Sequence, residues 1–268
     1  MPVRTISGIL AEIVQQKQQE VAALQRHAVA IEQQAYERKH APRPFLNALR
    51  SSEPAIIAEM KKASPSKGVL AEEFHPAVLA NAYERGGAAC LSVLTDQHYF
   101  QGSLHDLEAA RAAATIPVLR KDFAIDRIQI FQAAAHGADA ILLIAAILSA
   151  DDLRVFRELA HSLDLAALVE VHNQEELAKA IDSGADLIGV NNRDLETFEV
   201  SLDTSLRLSY SMPTNAIRVS ESGIRTQADI ELLRGAGFQA FLVGEWLMKS
   251  HDPTRALREL LGTHNASH

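Results

Sequence analysis

Glu59 and Lys61 stand two residues apart at the end of the run Ile57-Ala58-Glu59-Met60-Lys61, and similar endings recur along the chain. Leu119-Arg120-Lys121-Asp122 places a lysine two residues after a leucine. Leu168-Val169-Glu170-Val171 sets a glutamate between valines, followed by His172. Gly189-Val190-Asn191-Asn192-Arg193-Asp194 and Val219-Ser220-Glu221-Ser222-Gly223 complete the set. Side chains of an extended segment alternate with a period of two. Glu59 and Lys61 therefore share a face with Ile57, Lys121 with Leu119, and Glu221 with Val219. Two lysines, three glutamates and an asparagine are expected to project toward one mouth. Buried charges must be paired, so Glu59 and Lys61 read either as a structural ion pair or as part of a site. A desolvated Lys121 beside other cations would have a lowered pKa and act as acid or base; just past a strand end it would only be solvated. Glu170 is a partner for a lysine or a general base. Asn191 orients a substrate, or ends a strand in a turn.

Two glycines suggest a phosphate. Gly223 in Ser222-Gly223-Ile224 and Gly244 in Val243-Gly244-Glu245 would let backbone N–H groups approach phosphate oxygens closely, although glycines also simply make turns. Ser64-Pro65-Ser66-Lys67-Gly68 reads as a mobile active-site loop or as a surface turn. In Tyr99-Phe100-Gln101-Gly102-Ser103, Phe100 offers an aromatic wall for a ligand ring, or ordinary packing. These residues suit proton-transfer chemistry on a phosphorylated small molecule such as a sugar phosphate. A Schiff-base lysine aldolase fits nearly as well. Neither a metal nor another cofactor is expected: no Cys/His cluster has zinc spacing, and no G-x-G-x-x-G follows the first strand.

Elements that could hold these residues are visible as a repeat. Runs rich in Val, Ile and Leu at 55–61, 90–95, 117–122, 140–146, 166–171, 187–192, 216–222 and 240–245 predict strands. Amphipathic stretches at 76–85, 105–114, 127–136, 150–163, 174–183, 201–209, 227–235 and 253–261 predict helices. The units recur about every 26 residues, the size of a βα repeat. Gly86-Gly87-Ala88, Gly137-Ala138-Asp139, Gly184-Ala185-Asp186 and Gly235-Ala236-Gly237 supply left-handed caps between helix and strand. Eight such units predict an α/β fold, a (β/α)8 TIM barrel, with chemistry at the C-terminal strand ends; a doubly wound open sheet is the competing architecture. Before the barrel, Leu10, Val14, Lys17, Val21, Leu24, Ala28, Ile31 and Ala35 fall at steps of four and three, predicting helix, in one piece or two. Lys17 and two alanines in that seam favour packing on the chain's own barrel, hence a monomer, over a coiled-coil dimer through this helix. Pro42 and Pro44 end the segment and residues 45–49 read as a short helix. The expected division is an N-terminal helical extension over 1–44, a catalytic barrel over 45–262 and a tail over 263–268. One barrel is expected to use this length, with no second domain.

Composition narrows the partners. Lys plus Arg total 26 against 34 Asp plus Glu, a net charge of −8, which argues against nucleic acid. The apolar run at 138–148 is interrupted by Asp139 and too short to span a bilayer, so no membrane partner is expected. Residues 1–10 lack a basic-then-apolar signal pattern, and one cysteine, Cys90, forms no intrachain disulfide. A cytoplasmic globular protein is expected.

The same residues resemble the indole-3-glycerol phosphate synthase family of tryptophan biosynthesis. The resemblance runs through Ile57-Ala58-Glu59-Met60-Lys61-Lys62-Ala63-Ser64-Pro65-Ser66-Lys67-Gly68, Leu91-Ser92-Val93-Leu94-Thr95-Asp96 and Pro117-Val118-Leu119-Arg120-Lys121-Asp122-Phe123. It continues in Leu168-Val169-Glu170-Val171-His172, Ile188-Gly189-Val190-Asn191-Asn192-Arg193-Asp194-Leu195, Val219-Ser220-Glu221-Ser222-Gly223-Ile224 and Leu242-Val243-Gly244-Glu245. Lys17-Gln18-Gln19-Glu20-Val21 is similar to the family's basic N-terminal helix. The resemblance implies conversion of 1-(2-carboxyphenylamino)-1-deoxyribulose 5-phosphate to indole-3-glycerol phosphate, with loss of carbon dioxide and water. It implies Lys121 as the acid at the sugar carbonyl, Lys61 as the cation for the substrate carboxylate and as an acid in dehydration, and Glu170 as the base. Glu59 and Glu221 would tune the lysines and hold hydroxyls, Asn191 would orient the intermediate, Arg193 would supply charge and Ser222 hydrogen bonds. Ser64, Gly223, Gly244 and the Glu245 amide would hold phosphate, and Phe100 would face the anthranilate ring. One departure is Trp246, where the family usually carries a small residue such as serine. A backbone contact to phosphate survives that change and a hydroxyl contact does not. A phosphoribosylanthranilate isomerase-like barrel and a non-catalytic sugar-phosphate binder are the competing functions.

Overall fold

Strand segments with both faces apolar cannot sit at the surface; they need cover on each side, as in a parallel sheet wrapped by helices. In the computed structural model, which describes residues 8–65 and 67–263, eight strands meet that demand. They are β1 (Ala55–Met60), β2 (Cys90–Leu94), β3 (Val118–Lys121), β4 (Ala140–Ile144), β5 (Ala166–Val171), β6 (Leu187–Asn191), β7 (Ile217–Glu221) and β8 (Ala240–Val243). All are parallel and pair in chain order. β8 closes back on β1 with Ala55 opposite Ala240 and Ile57 opposite Leu242, giving a closed barrel rather than an open sheet.

Helices follow the strands at Pro76–Gly86, Leu104–Ala113, Arg127–Ala135, Ala150–Ser162, Gln174–Asp182, Asp203–Ser209, Gln227–Gly235 and Pro253–Leu260. Gly137 and Gly184 sit at φ 84° and 77° between helix and strand, a conformation costly for residues with a Cβ. Most strands are one or two residues shorter than the apolar runs suggest. Three small elements differ from the expectation of plain loops. Ala63–Ser64 pairs antiparallel with Gly68–Val69, while Gln97–Phe100 and Glu245–Met248 form single helical turns. Ser66 and residues 264–268, within the expected loop and tail, lie outside the described residues, as do residues 1–7. No helix among the described residues is long and apolar enough to cross a membrane.

Alternation along the strands divides the core in two. Ile57, Leu119, Leu168, Leu187, Val219 and Leu242 pack inside the barrel over a plug of Phe45 and Leu49 from the helix Phe45–Arg50. Ile56, Ala58, Leu91, Val93, Val118, Ile141, Leu143 and Val169 pack outward against the helices. This parity positions the site: the inward residues two or four places further along are Glu59, Lys61, Lys121, Glu170, Asn191, Glu221 and Gly244.

The N-terminal segment is helical over Gly8–Leu24 and Ala28–Tyr36, with a 3₁₀ turn at Gln25–His27 between them. Leu10, Lys17 and Ala35 of its seam are buried, with Ile13 taking the step assigned to Val14. At the base of the barrel, buried Asp139 ties the connecting segment down. Its carboxylate accepts the backbone N–H groups of Arg43 (2.7 Å) and Val118 (2.9 Å) and pairs with the Arg111 guanidinium. Arg111 in turn donates to the carbonyl of Ala41 at 2.8 Å, and Arg43 to those of Ile116 and Arg111. Removing one partner of such a buried pair strands the other charge. Asp139→Ala is expected to lower unfolding free energy by about 3–5 kcal/mol. Urea denaturation with an unchanged m-value checks this; a loss below about 1 kcal/mol would show that Arg111 finds other partners.

Candidate active site

The six inward polar residues meet in a cavity of about 490 Å³ at the C-terminal mouth of the barrel, which Ser64, Phe100, Arg193, Ser222, Gly223, Gly244 and Glu245 also line. All thirteen residues expected from the sequence are therefore at one place. At its centre, Lys121 Nζ stands 3.2 Å from Glu170 Oε2, 3.4 Å from Glu221 Oε2 and 3.9 Å from Glu59 Oε2. Glu59 reaches the second lysine with its other oxygen, 2.7 Å from Lys61 Nζ. Two glycines make room for this packing. A Cβ on Gly189 would fall 2.1 Å from Glu221 Oε1, and one on Gly244 would fall 2.4 Å from Glu59 Oε1. Gly244 thus serves the carboxylate cluster as well as the expected phosphate approach.

The electrostatics correct one expectation. Cationic neighbours were expected to lower the pKa of Lys121, but three carboxylates surround it. Burial alone would push the lysine down; Glu170, Glu221 and Glu59 outweigh it and hold the ammonium charged. Burial raises Glu59 and Glu170, yet the lysines, joined at Glu170 by His172, pull both below the ordinary carboxylate range. Glu221 goes the other way. Its burial dominates, Lys121 opposes only in part, and the charge on Glu170 adds repulsion, so its pKa is raised. Neither Glu221 oxygen has a hydrogen-bond partner among the described residues. Two carboxylates sharing one site cannot ionise with equal ease. The arrangement therefore holds a charged acid (Lys121), an ionised base (Glu170) and a carboxyl that favours its proton (Glu221).

Ser222 and Gly223 both have positive φ, 68° and 85°, which turns the chain sharply after β7. Asn192 braces this turn by donating to Ser222 O and Ser220 Oγ, each at 3.0 Å. Arg193 is held by its N–H to Asn191 Oδ1 at 3.0 Å, and its guanidinium lies 3.3 Å from Glu245 Oε2. Lys249 takes the other oxygen of Glu245 at 2.7 Å, so that carboxylate is already engaged. Trp246, Lys67 and Lys249 also line the cavity, as cationic and aromatic additions to the expected set.

The apolar side was largely missed. Phe100 faces Phe123 with ring centroids 6.0 Å apart, and Leu10, Ile13, Leu142 and Ile144 extend the wall. Leu142 and Ile144 were findable from strand parity, and Leu10 and Ile13 from their turn of helix beside Lys17. Lys17 itself is buried, its Nζ 2.7 Å from Asp96 Oδ2, 2.9 Å from Asp122 Oδ1 and 2.8 Å from Glu20 Oε2. Asp96 accepts the backbone N–H groups of Tyr99 and Phe100, so Lys17 braces the turn that carries Phe100. Burial raises Asp122, but Arg120 and Lys17 bring it down to about 2.

Comparison with known proteins places this geometry in a family. The family model for indole-3-glycerol phosphate synthase matches residues 10–260. An indole-3-glycerol phosphate synthase of Polaromonas sp. strain JS666 is 48% identical over 262 residues, 96% of this chain and 99% of the relative. One of Azoarcus sp. strain BH72 is 50% identical over 264 residues, 96% of this chain and 100% of the relative. Among solved structures, a 3-hexulose-6-phosphate synthase superposes with TM-score 0.60 at 14% identity, over 78% of this chain and 99% of that one. A thiamine phosphate pyrophosphorylase of Pyrococcus furiosus gives 0.57 at 18%, over 78% and 95%. At such identities these two share the fold alone.

The Lys17 brace has a pH signature. Asp122 has a depressed folded-state pKa, so its stabilisation is fully present above the ordinary aspartate value of 3.8 and is lost as pH falls through about 2. Lys17→Met is expected to cost about 3 kcal/mol at pH 7 and to weaken the pH dependence of stability in that acid window. KM should rise more than kcat falls, because the Phe100 wall loosens while Lys121 stays. Urea titrations from pH 5 downward and steady-state kinetics check this; an unchanged KM would detach the brace from the site.

Proposed function

The chain belongs to the indole-3-glycerol phosphate synthase family, and from that premise we propose how the residues of its mouth divide the reaction. The enzyme converts 1-(2-carboxyphenylamino)-1-deoxyribulose 5-phosphate to indole-3-glycerol phosphate, carbon dioxide and water. It is a carboxy-lyase of tryptophan biosynthesis. The ring carbon bearing the carboxylate attacks the sugar carbonyl. The new bond forms as the carbonyl π pair moves to oxygen, which takes a proton. The carboxylate then departs as carbon dioxide, leaving its bonding pair to restore the aromatic ring. Finally the nitrogen lone pair expels the protonated hydroxyl as water, and loss of a proton from the adjacent carbon completes the indole.

Lys121 protonates the carbonyl oxygen. Its support is the observation that carries the whole reading: a buried ammonium kept charged by three carboxylates, within 3.2 Å of an ionised glutamate. A charged amine is a proton donor; a Schiff-base aldolase needs the neutral form, which this setting opposes. Lys61, at the cavity edge and paired only with Glu59 among the described residues, takes the substrate carboxylate and acts as acid in dehydration. Glu170 accepts the proton released in the last step. Glu221, disposed to keep its proton, and Asn191 hold the sugar hydroxyls, while Glu59 sets the charge of both lysines. The phosphate sits at Ser64, Ser222, Gly223, Gly244 and the Glu245 amide, with Arg193 nearby. Phe100 faces the aromatic ring. A cytoplasmic monomer acting without nucleic acid or membrane fits this reading.

Purified protein given the substrate without added metal should produce indole fluorescence. Lys121→Ala should cut kcat by about 10²–10⁴-fold while its circular dichroism stays that of the wild type. Turnover near wild type in that variant would remove Lys121 from the acid role.

A further inference from the structure

His172 follows β5 two residues after Glu170 and so projects from the same face. It does not line the cavity. Its Nε2 lies 3.3 Å from Glu170 Oε1, the oxygen opposite the one that meets Lys121. Its Nδ1 lies 2.9 Å from Glu176 Oε2, and that same oxygen accepts the His172 backbone N–H at 2.8 Å. Glu176 is itself fixed. Its other oxygen accepts from the Asn173 amide at 2.8 Å, while Asn173 caps the helix Gln174–Asp182 by accepting the Glu176 N–H at 3.0 Å. The three side chains are almost closed to solvent, His172 at 9% exposure, Glu170 at 4% and Glu176 at 5%. The Nδ1 contact is a hydrogen bond and the Nε2 contact an ion-pair approach without one, and an imidazole between two carboxylates meets both best by carrying both protons.

We propose that His172, clamped by Glu176, is a positioning residue: a buried imidazolium behind the base that aims Glu170 at Lys121 and keeps the negative charge on Glu170 rather than on Glu221. The proposal rests on Glu170 being the base, as read above. The groups facing Glu170 are Lys121 from β3, Glu221 from β7, Glu59 from β1 and Asn191 from β6, with His172 on its own strand. Those facing His172 are Glu170, Glu176 and, at longer range, Asp194. Lys121 and His172 favour the ionised form of Glu170; Glu221 and Glu59 oppose it. Burial disfavours the charged imidazole, but its two carboxylates outweigh this and raise its pKa to about 10, so the charged form is favoured at neutral pH. Glu221, with no second cation, is the carboxyl left to hold the proton.

The test compares His172→Gln, Glu176→Gln and Glu170→Gln in the full chain, by the pH dependence of kcat and KM and by imidazole ¹⁵N shifts of the wild type. Loss of the cation raises the pKa of Glu170, so the acid limb of kcat in His172→Gln should move up by about 1–2 pH units. KM should stay within about twofold and kcat should recover on the alkaline side. Glu176→Gln should move the limb in the same direction by less. The wild-type imidazole should report both nitrogens protonated at pH 8. A folded His172→Gln and Glu176→Gln with the wild-type limb, beside an inactive Glu170→Gln, would overturn this inference alone. Wild-type turnover in Glu170→Gln would overturn the base assignment and the inference together. A neutral imidazole at pH 7 would overturn the inference even if His172→Gln failed to fold.

Discussion

Lys121 is surrounded by Glu59, Glu170 and Glu221 in a space lined by the barrel interior, and none of the four could be buried there alone. A single ion of this size taken out of water costs several kcal/mol even after relaxation. Pairing offsets that cost only when the charges are close and correctly placed. The barrel supplies the placement through strand parity: the residue two places past an inward leucine, isoleucine or valine is again inward. Backbone then has to withdraw where carboxylates crowd, which is why Gly189 and Gly244 stand against Glu221 and Glu59. The cluster is a consequence of the period of a β-strand, and so are the glycines.

The opposite parity builds a second network. At the end of β3, Lys121 points inward, whereas Arg120 before it turns to the outer layer and donates to the Gln129 carbonyl, and Asp122 just after it, which also borders the cavity, pairs with Arg120. There Asp122 accepts from Thr95 and meets both Arg120 and Lys17. One short strand end therefore anchors Lys121 on one side and the N-terminal helix on the other. Lys17 carries the coupling further through Asp96 to the Phe100 turn. The turn that carries Phe100 and the charge cluster around Lys121 are thus held by adjacent residues at one strand end rather than by independent loops.

Most of this was legible in the sequence where one rule decides the outcome. Alternation puts Glu59, Lys61, Lys121, Glu170 and Glu221 on inward faces, and the repeat of strand and helix units predicts closure. What alternation does not carry is which neighbours meet across strands. The environment of Lys121 depends on the register of β1, β5 and β7 around it, and a linear reading took its neighbours for cations. The wall formed by Leu10, Ile13 and Phe123 depends on where an N-terminal helix lies over the mouth, which no local pattern states. His172 was visible beside Glu170, but its meaning lies in the Asn173-to-Glu176 cap that aims a carboxylate back at it. Helix turns such as Glu245–Met248 escape for a simpler reason: one turn has too few residues to show a period.

Buried polar atoms left without hydrogen bonds lie at both ends of the barrel, among them Arg38 Nε, Arg111 Nε and Arg157 Nε at the base. Both oxygens of Glu221 belong to that set, and so does Nε2 of His172, although each has an opposite charge within ion-pair reach. Ser222, next to Glu221, is held in a left-handed conformation that a serine seldom adopts. The Asp139 carboxylate, by contrast, is satisfied by two backbone N–H groups and a guanidinium. Sugar hydroxyls placed against Glu221, as proposed, would supply the hydrogen bonds that its oxygens lack, so part of the cost of burying this carboxyl would be recovered on binding.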